Sequence, residues 1–229
     1  MESRWNSGAW ENYSGNLKEA LRLYVIPDRL IGAPLSLEEQ VRLALQGGAT
    51  AIQLRDKSAE GKELLETAKR LANLCRQRDL CKRRGALFIV NDRLDVALLS
   101  GADGVHLGQS DLPVEEARRL APRPFIVGAS AHTVGEAEKA EKDGADYLGV
   151  GAVFETRSKD NAKVLGPEGL RRLTAAVRLP VVAIGGISLE NLPEVMETGV
   201  TGVSVISAAV RGDVKERVTA LRNCIEKLH

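Results

Sequence analysis

Two aspartates, Asp92 and Asp111, have the type and spacing that a metal-dependent reaction needs. Each follows a short apolar run of strand type, residues 88–90 in the first case and residues 104–107 in the second. If the two runs are neighbouring parallel strands, both carboxylates lie at the same rim of the sheet, because parallel strands end on the same side. Two such carboxylates, with no basic residue fixed between their side chains by the sequence, suit a hard divalent cation such as Mg²⁺. The alternative is that each acid caps a helix, with Asp92 capping a helix that begins near Leu94; for the pair we favour the metal.

The elements that must position these acids alternate between strand and helix. Between the two apolar runs, residues 94–99 have the spacing of a short helix, and Gly101 follows as its stop signal. The same alternation continues along the chain, with strands predicted at 21–26, 50–54, 88–90, 104–107, 125–129, 147–150, 181–184 and 202–206. Runs of continuous apolar character are typical of parallel strands that are buried on both faces.

The helix signals between these strands are specific. Ser36 with Glu39, and Thr133 with Glu136, form capping boxes, and Pro113 is expected at the first position of a helix. Helices are predicted near 36–47, 60–76, 133–144, 167–176 and 189–199, with another that starts at Pro113 and one last helix after strand eight. A glycine-led turn recurs before four strands and is interpreted as one helix-to-strand turn used four times, at Gly48-Ala49-Thr50, Gly101-Ala102-Asp103, Gly144-Ala145-Asp146 and Gly199-Val200-Thr201.

Eight strand–helix units in 229 residues predict an α/β fold, a single-domain (β/α)8 TIM barrel. The barrel is assigned to residues 17–229, after a polar N-terminal tail at 1–16. A doubly wound open sheet is the alternative. Gly149-Val150-Gly151 is a poor dinucleotide fingerprint, since the third glycine is missing.

Composition excludes several classes of function. The formal net charge of +1 indicates no nucleic-acid partner, and no apolar run approaches the length of a membrane span. The N-terminus lacks the apolar core of a signal peptide, and three cysteines without a CxxC pair fit a reducing compartment, so a cytoplasmic location is expected. Three scattered histidines are too few for a histidine-rich metal site. The sequence leaves the oligomeric state open, including a homo-oligomer.

In a barrel of this kind, function lies at the rim formed by the carboxyl ends of the strands. The predicted rim contains acids, cations, hydroxyls and exposed backbone amides, which together suit phosphorylated substrates and a metal: Gln53, Arg55, Lys57, Asn91, Asp92, Gln109, Asp111, Ser130, Thr156, Ser158, Lys159, Gly185, Gly186, Ile206 and Ser207. Gly185 and Gly186 either hold a phosphate on their backbone N–H groups or form a tight turn. Arg55 and Lys57 either bind phosphates or belong to a solvated loop. His132 is interpreted as a loop or capping residue rather than a general base.

Taken together and in order, five motifs resemble thiamine phosphate synthase: Gln53-Leu54-Arg55-Asp56-Lys57, Val90-Asn91-Asp92, His106-Leu107-Gly108-Gln109-Ser110-Asp111, Gly128-Ala129-Ser130-Ala131-His132-Thr133 and Ala183-Ile184-Gly185-Gly186-Ile187. The resemblance covers about residues 21–210. It implies a (β/α)8 barrel that joins 4-amino-2-methyl-5-hydroxymethylpyrimidine diphosphate to 4-methyl-5-(2-phosphooxyethyl)thiazole, giving thiamine phosphate and diphosphate. The partners would be these two small molecules, and the form of the thiazole, carboxylated or not, stays open.

The resemblance also implies roles for individual residues. The pyrimidine diphosphate would be held by Gln53, Leu54, Arg55, Asp56, Lys57, Asn91 and Ser130, and the thiazole phosphate by Thr156, Arg157, Ser158, Gly185, Ile206 and Ser207. Asp92 and Asp111 would hold Mg²⁺. Arg55, Lys57, Ser130 and Lys159 would act in the reaction, with Lys159 reaching the diphosphate leaving group. The C–O bond would ionise first, with Mg²⁺ assisting, and the thiazole nitrogen would then attack.

The chain departs from the family pattern at three places. Ser158 stands where a second threonine is usual, and residues 160–164 are slightly shortened. Arg93 stands where some members carry another acid, so metal binding rests on Asp92 and Asp111. Residues 76–84 look like an insertion far from the rim.

Three other functions remain open at this point. A thiazole tautomerase on the same barrel would need a proton-transfer residue, for which His132 is available, but no diphosphate site. A non-catalytic barrel that senses a phosphorylated metabolite is the second. The third is a barrel aldolase or phosphosugar isomerase that shares the glycine phosphate site. An aldolase of the Schiff-base type would need a lysine inside the barrel, and no predicted strand core contains one.

Overall fold

Eight parallel strands close into a barrel, each paired with its neighbours in sequence and the last paired with the first. The computed structural model describes residues 17–77, 85–156 and 164–228. The strands are β1 (Leu23–Val25), β2 (Ala51–Leu54), β3 (Leu87–Asn91), β4 (Gly104–Leu107), β5 (Ile126–Ala131), β6 (Tyr147–Val150), β7 (Val181–Ile184) and β8 (Gly202–Val205). The predicted barrel is confirmed, and the open sheet is wrong. The predicted tail at 1–16, most of the 76–84 segment, and Arg157, Ser158 and Lys159 lie outside the described residues.

Helices connect the strands on the outside of the barrel. They are α1 (Leu37–Gly47), α2 (Gly61–Arg76), α3 (Leu94–Ser100), α4 (Val114–Leu120), α5 (Val134–Lys142), α6 (Gly166–Ala176), α7 (Leu192–Met196), α8 (Ser207–Val210) and α9 (Val214–Lys227). Within the described residues, none of them combines the length and apolar character that a membrane span requires.

Ser36 and Thr133 cap their helices through their hydroxyls, as predicted. The Ser36 hydroxyl accepts the N–H of Glu39, and the Thr133 hydroxyl accepts the N–H of Glu136, at 3.2 Å in each case. In the second box the Glu136 carboxylate accepts the N–H of His132 at 2.7 Å. The start of each helix is therefore set by local side chains.

Three helix predictions are corrected. Pro113 lies at the N-cap of α4 rather than at its first helical position. The helix predicted at 189–199 is shortened to Leu192–Met196. The predicted last helix is two helices, since Gly212 has a φ of +89° and Asp213 caps α9 by accepting the N–H of Glu216 at 2.9 Å.

Side chains alternate between the inside and the outside of the barrel along each strand, as the period of two requires. In β2, Ala51 packs with the inner cluster, whereas Ile52 and Leu54 pack with the helices outside. The inner cluster consists of Leu17, Leu21, Tyr24, Ala51, Leu87, Ile89, Ile126, Tyr147 and Val182. The lower half of the barrel is therefore filled with side chains.

The repeated glycine turn is confirmed. The four glycines have left-handed backbones, with φ of +98° at Gly48, +70° at Gly101, +96° at Gly144 and +85° at Gly199. In three of the turns, the side chain of the polar residue two positions after the glycine accepts a backbone N–H from the preceding strand. Thr50 accepts from Leu23 at 2.9 Å, Asp103 from Phe88 at 2.8 Å and Asp146 from Val127 at 2.8 Å. Thr50, Asp103 and Asp146 therefore hold neighbouring strands together at the face of the barrel opposite the predicted rim, which is a structural role.

Candidate active site

A cavity of about 750 Å³ lies inside the barrel above the inner cluster. Its wall brings together many of the residues that the sequence predicted for substrate binding: Gln53, Arg55, Asn91, Ser130, Thr156, Gly185, Ile206 and Ser207. These residues come from β2, β3, β5 and the segments after β6, β7 and β8, so only barrel closure makes them neighbours.

Asp92 and Asp111 lie together beside this cavity, as predicted. Asp92 directly follows β3, has a φ of +63°, and donates its N–H to the carbonyl of His106 at 2.8 Å. The Asp111 carboxylate accepts the N–H of Gly108 at 2.6 Å, which fixes the turn after β4. Burial, a hydrogen bond with Asp111 and the negative charge of Asp111 raise the pKa of Asp92 to about 6, whereas the charges of Lys57 and Arg55 lower it. Two carboxylates are thus held in contact with two cations close by.

The capping alternative for Asp92 is wrong. The N-cap of α3 is Arg93, whose side chain makes no capping hydrogen bond. The Arg93 guanidinium instead pairs with the exposed Asp95 at 2.6 Å. Asp111 does not cap α4 either, because Pro113 occupies the N-cap. The positions of both acids are set by the strand ends and their turns.

The loop after β2 presents Arg55 and Lys57 and is held by Asp56 between them. The Asp56 carboxylate accepts the N–H groups of Ser58 and Ala59 at 3.1 Å, and the Arg29 guanidinium donates to it at 2.6 Å. Burial raises the pKa of Asp56, but the hydrogen bonds from Arg29 and Ser58 outweigh it and leave that pKa below its usual value. Arg29, which the sequence pattern did not single out, thereby joins the β1 and β2 loops.

The side chain of Leu54, in the same motif, faces away from the cavity. It is buried in the outer apolar layer, among residues that pack against the helices. Any contact that Leu54 makes with a substrate therefore comes from its backbone.

The glycine pair after β7 forms a tight turn and also has backbone that a phosphate could reach. Gly185 and Gly186 have φ of +101° and +67°, so the tight turn exists. A Cβ on Gly185 would lie 2.7 Å from the backbone of Ala152, and one on Gly186 would lie 2.6 Å from the carbonyl oxygen of Glu155. Both glycines also line the cavity, where their backbone is accessible to a ligand.

His132 is anchored to the backbone of the loop after β6. Its Nδ1 lies 2.6 Å from the carbonyl oxygen of Gly151. Because a carbonyl can only accept, Nδ1 carries the hydrogen. His132 is thus a loop residue, as predicted, and its ring also lines the cavity.

A chain of polar side chains inside the barrel was not predicted. Gln53 donates to the hydroxyl of Tyr24 at 3.0 Å, which lies 3.2 Å from the hydroxyl of Tyr147. His106 bridges Tyr147 and Ser130, at 3.1 Å and 3.0 Å. The sequence did contain a signal for this chain, namely polar or amphipathic residues at inward-facing positions of otherwise apolar strands.

The donor set at the rim fits a cation that is shared with a substrate. Within residues 17–77, 85–156 and 164–228, no group of three or more His, Cys, Asp or Glu side chains could hold a metal. Mg²⁺ commonly binds through one or two carboxylates, with substrate phosphates and water completing the shell. Asp92 and Asp111 match that requirement.

Comparison with known proteins decides the family. The model of a family described as thiamine monophosphate synthase matches residues 23–209. The chain belongs to this family. A thiamine-phosphate synthase from Coprothermobacter proteolyticus is 51% identical over 210 residues, covering 91% of this chain and 97% of the relative. One from Pyrococcus furiosus is 49% identical over 214 residues, covering 93% and 99%.

A solved structure agrees with this membership in the thiamine monophosphate synthase family. A thiamine phosphate pyrophosphorylase from Pyrococcus furiosus superposes with a TM-score of 0.84 at 48% identity, covering 93% of this chain and 99% of that one. The predicted family and the prediction of a transferase are confirmed. The comparisons give no support to a tautomerase or a metabolite sensor.

Proposed function

We propose that this chain condenses the pyrimidine diphosphate and the thiazole phosphate named above to thiamine phosphate and diphosphate. The observation that carries the proposal is the contact between Asp92 and Asp111, with the charges of Arg55 and Lys57 close to it. Arg55 and Asn91, the residue before Asp92, line the cavity. Opposed charges arranged in this way suit a diphosphate that is bound through a divalent cation.

The cation would be Mg²⁺, held by the Asp92 and Asp111 carboxylates. In the absence of a cation these two groups repel each other, which is one cause of the raised pKa of Asp92. When bound, Mg²⁺ would neutralise the diphosphate and assist its departure. This fit between the acids and a hard cation supports the proposal.

Arg55 and Lys57 would donate to the phosphate oxygens of the leaving group. Negative charge on these oxygens grows as the C–O bond breaks, so preorganised cations stabilise the transition state more than the ground state. Lys159 was predicted to act in the same way, and it lies outside the described residues. The aminopyrimidine ring can delocalise the charge left on its methylene carbon, so the protein need not supply a nucleophile.

The thiazole phosphate would bind along the wall formed by Thr156, Gly185, Ile206 and Ser207. This wall belongs to the same cavity as Gln53 and Asn91, which would hold the pyrimidine. The volume of the cavity, about 750 Å³, lies within the range of about 300–1,000 Å³ that small-molecule sites occupy. The thiazole nitrogen can therefore approach the methylene carbon within one enclosed space.

An end-point assay tests the proposal. The purified protein is mixed with both substrates, with and without Mg²⁺, and thiamine phosphate and diphosphate are quantified separately. We expect equal amounts of the two products, formed only when Mg²⁺ is present. No product from folded protein would contradict the proposed reaction.

Matched variants test the metal assignment. Asp92→Asn and Asp111→Asn each remove one charged oxygen donor and should lower turnover at least about 100-fold, because electrostatic stabilisation of this kind is typically worth that much. Asp95→Asn is the control, since Asp95 lies three residues from Asp92 but pairs with Arg93 on the surface. Normal turnover in Asp92→Asn, or equal losses in Asp95→Asn, would contradict the assignment.

A further inference from the structure

The polar chain inside the barrel joins two sides of the cavity. It runs from Gln53 on β2 through Tyr24, Tyr147 and His106 to Ser130 on β5, with successive separations of 3.0, 3.2, 3.1 and 3.0 Å. Both ends are residues to which the family resemblance assigns the pyrimidine. The three middle residues, Tyr24, Tyr147 and His106, have no assigned role, and they line the same cavity.

The surrounding sequence makes room for these rings. The Tyr147 ring lies 6.2 Å from the Tyr24 ring and 5.5 Å from the His106 ring, measured between centroids. A Cβ on Gly128 would lie 2.2 Å from the Tyr147 ring, and one on Gly149 would lie 2.8 Å from His106. The rings therefore occupy space that glycines on β5 and β6 leave open.

The hydrogen atoms along the chain have one order in which both phenol hydrogens find an acceptor within the chain. The Gln53 amide nitrogen can only donate, so the Tyr24 oxygen accepts from it, and Tyr24 can give its own hydrogen to Tyr147. Tyr147 then donates to Nδ1 of His106, which leaves the ring hydrogen on Nε2, facing Ser130. Both phenols keep their hydrogens, because burial raises the pKa of Tyr24 and of Tyr147.

We propose that Tyr24, Tyr147 and His106 are positioning residues that fix the donor and acceptor roles of Gln53 and Ser130 toward the pyrimidine. Because His106 donates to the Ser130 oxygen, the Ser130 hydroxyl offers its own hydrogen to the substrate. Because the Gln53 nitrogen is engaged with Tyr24, its carbonyl oxygen is the atom that can accept. The chain thus selects a pyrimidine that offers an amino N–H to Gln53 and an acceptor to Ser130. This selection rests on the proposed function.

A kinetic test compares the amino substrate with its 4-oxo analogue, in which the amino N–H is replaced by a carbonyl. Tyr147→Phe keeps the ring but breaks the chain at its centre. We expect the KM for the aminopyrimidine diphosphate to rise about tenfold and its preference over the analogue to fall similarly, as loss of one positioned hydrogen bond allows. The KM for the thiazole phosphate should not change.

Further variants separate positioning from stability. Ile126→Val is the control, since Ile126 lies in the same inner cluster but does not line the cavity. It should lower the Tm without changing either KM or the preference. His106→Gln, which keeps a donor toward Ser130, should retain more of the preference than His106→Leu. Equal KM effects in Tyr147→Phe and Ile126→Val, or no difference between the two His106 variants, would overturn the proposal.

A spectroscopic test needs no substrate, so its result is independent of the proposed reaction. Long-range ¹H–¹⁵N spectra of protein labelled at histidine report which ring nitrogen carries hydrogen, and His106→Gln identifies the His106 signals. We expect hydrogen on Nε2 and none on Nδ1 in the unmodified protein, with a changed pattern in Tyr147→Phe. Hydrogen on Nδ1, or a pattern that Tyr147→Phe does not change, would overturn the proposal even if the enzyme is active.

Discussion

Replacing Asp146 tests whether the acid of the glycine-led turn is structural rather than catalytic. Its side chain is 4% exposed and accepts three hydrogen bonds, from the N–H of Val127 at 2.8 Å, from Arg118 at 2.5 Å and from Arg123 at 3.1 Å. Asp146→Ala leaves the Val127 N–H buried without its acceptor, and it removes the anion from beside two guanidinium groups. The free energy of unfolding should therefore fall substantially.

The magnitude follows from what each partner loses. An unsatisfied buried N–H costs about 1–3 kcal/mol, and breaking a buried ion pair costs about 3–5 kcal/mol. Arg118 keeps the carbonyl oxygens of Ala121, Phe125 and Gly144 as acceptors, so we expect the lower end of both ranges, about 4 kcal/mol in total. For a chain of this size that corresponds to a decrease in Tm of about 8–16 °C.

Thermal unfolding followed by circular dichroism measures this decrease. Asp146→Asn keeps one acceptor for the Val127 N–H and should show an intermediate decrease. Glu116→Ala is the control, because Glu116 makes an exposed ion pair with Arg119 at 3.0 Å, worth less than about 1 kcal/mol. Turnover well below the Tm should be unchanged in all three variants. An Asp146→Ala protein as stable as Glu116→Ala, or one that is stable but inactive, would refute the structural role.

Three further expectations concern the site. Gly185→Ala should raise the KM for the thiazole phosphate more than that for the pyrimidine diphosphate, since φ of +101° and a contact at 2.7 Å with Ala152 force the turn to move; equal effects on both substrates would count against a phosphate site there. Asp56→Ala should raise the KM for the pyrimidine diphosphate without changing the Mg²⁺ requirement, because it frees the loop that presents Arg55. An unchanged KM would show that the loop keeps its conformation without the hydrogen bonds of Asp56. Gly149→Ala should reduce the preference for the amino substrate over its 4-oxo analogue, because the added Cβ would lie 2.8 Å from the His106 ring; an unaltered preference would mean that the ring position does not matter.

Much of the fold could be predicted because its signals are local. The apolar runs predicted β4, β6 and β7 with their observed bounds, and the capping boxes at Ser36 and Thr133 predicted two helix starts. The errors also have local reasons. Pro113 precedes its helix by one residue, and Gly212, with a left-handed backbone, interrupts what the apolar spacing alone presented as one last helix.

The candidate site was predictable to the extent that its residues follow strands. Once the strands are parallel, Asp92 and Asp111 must lie at the same rim, and their order in the chain is enough to place them side by side. Conversely, the bond between Arg29 and Asp56 joins two loops 27 residues apart. No spacing rule pairs them, since their contact depends on how the loops bend above the barrel.

The sequence by itself determined the alternation of strands and helices, the glycine turns and the positions of the rim residues along the chain. These depend on backbone propensities, capping and the periodicity of apolar side chains, which act within about ten residues. Only the tertiary structure decided which inward side chains meet. Tyr24 and Tyr147 are 123 residues apart, and their hydroxyls lie 3.2 Å apart because the barrel closes and its register sets both rings at the same height.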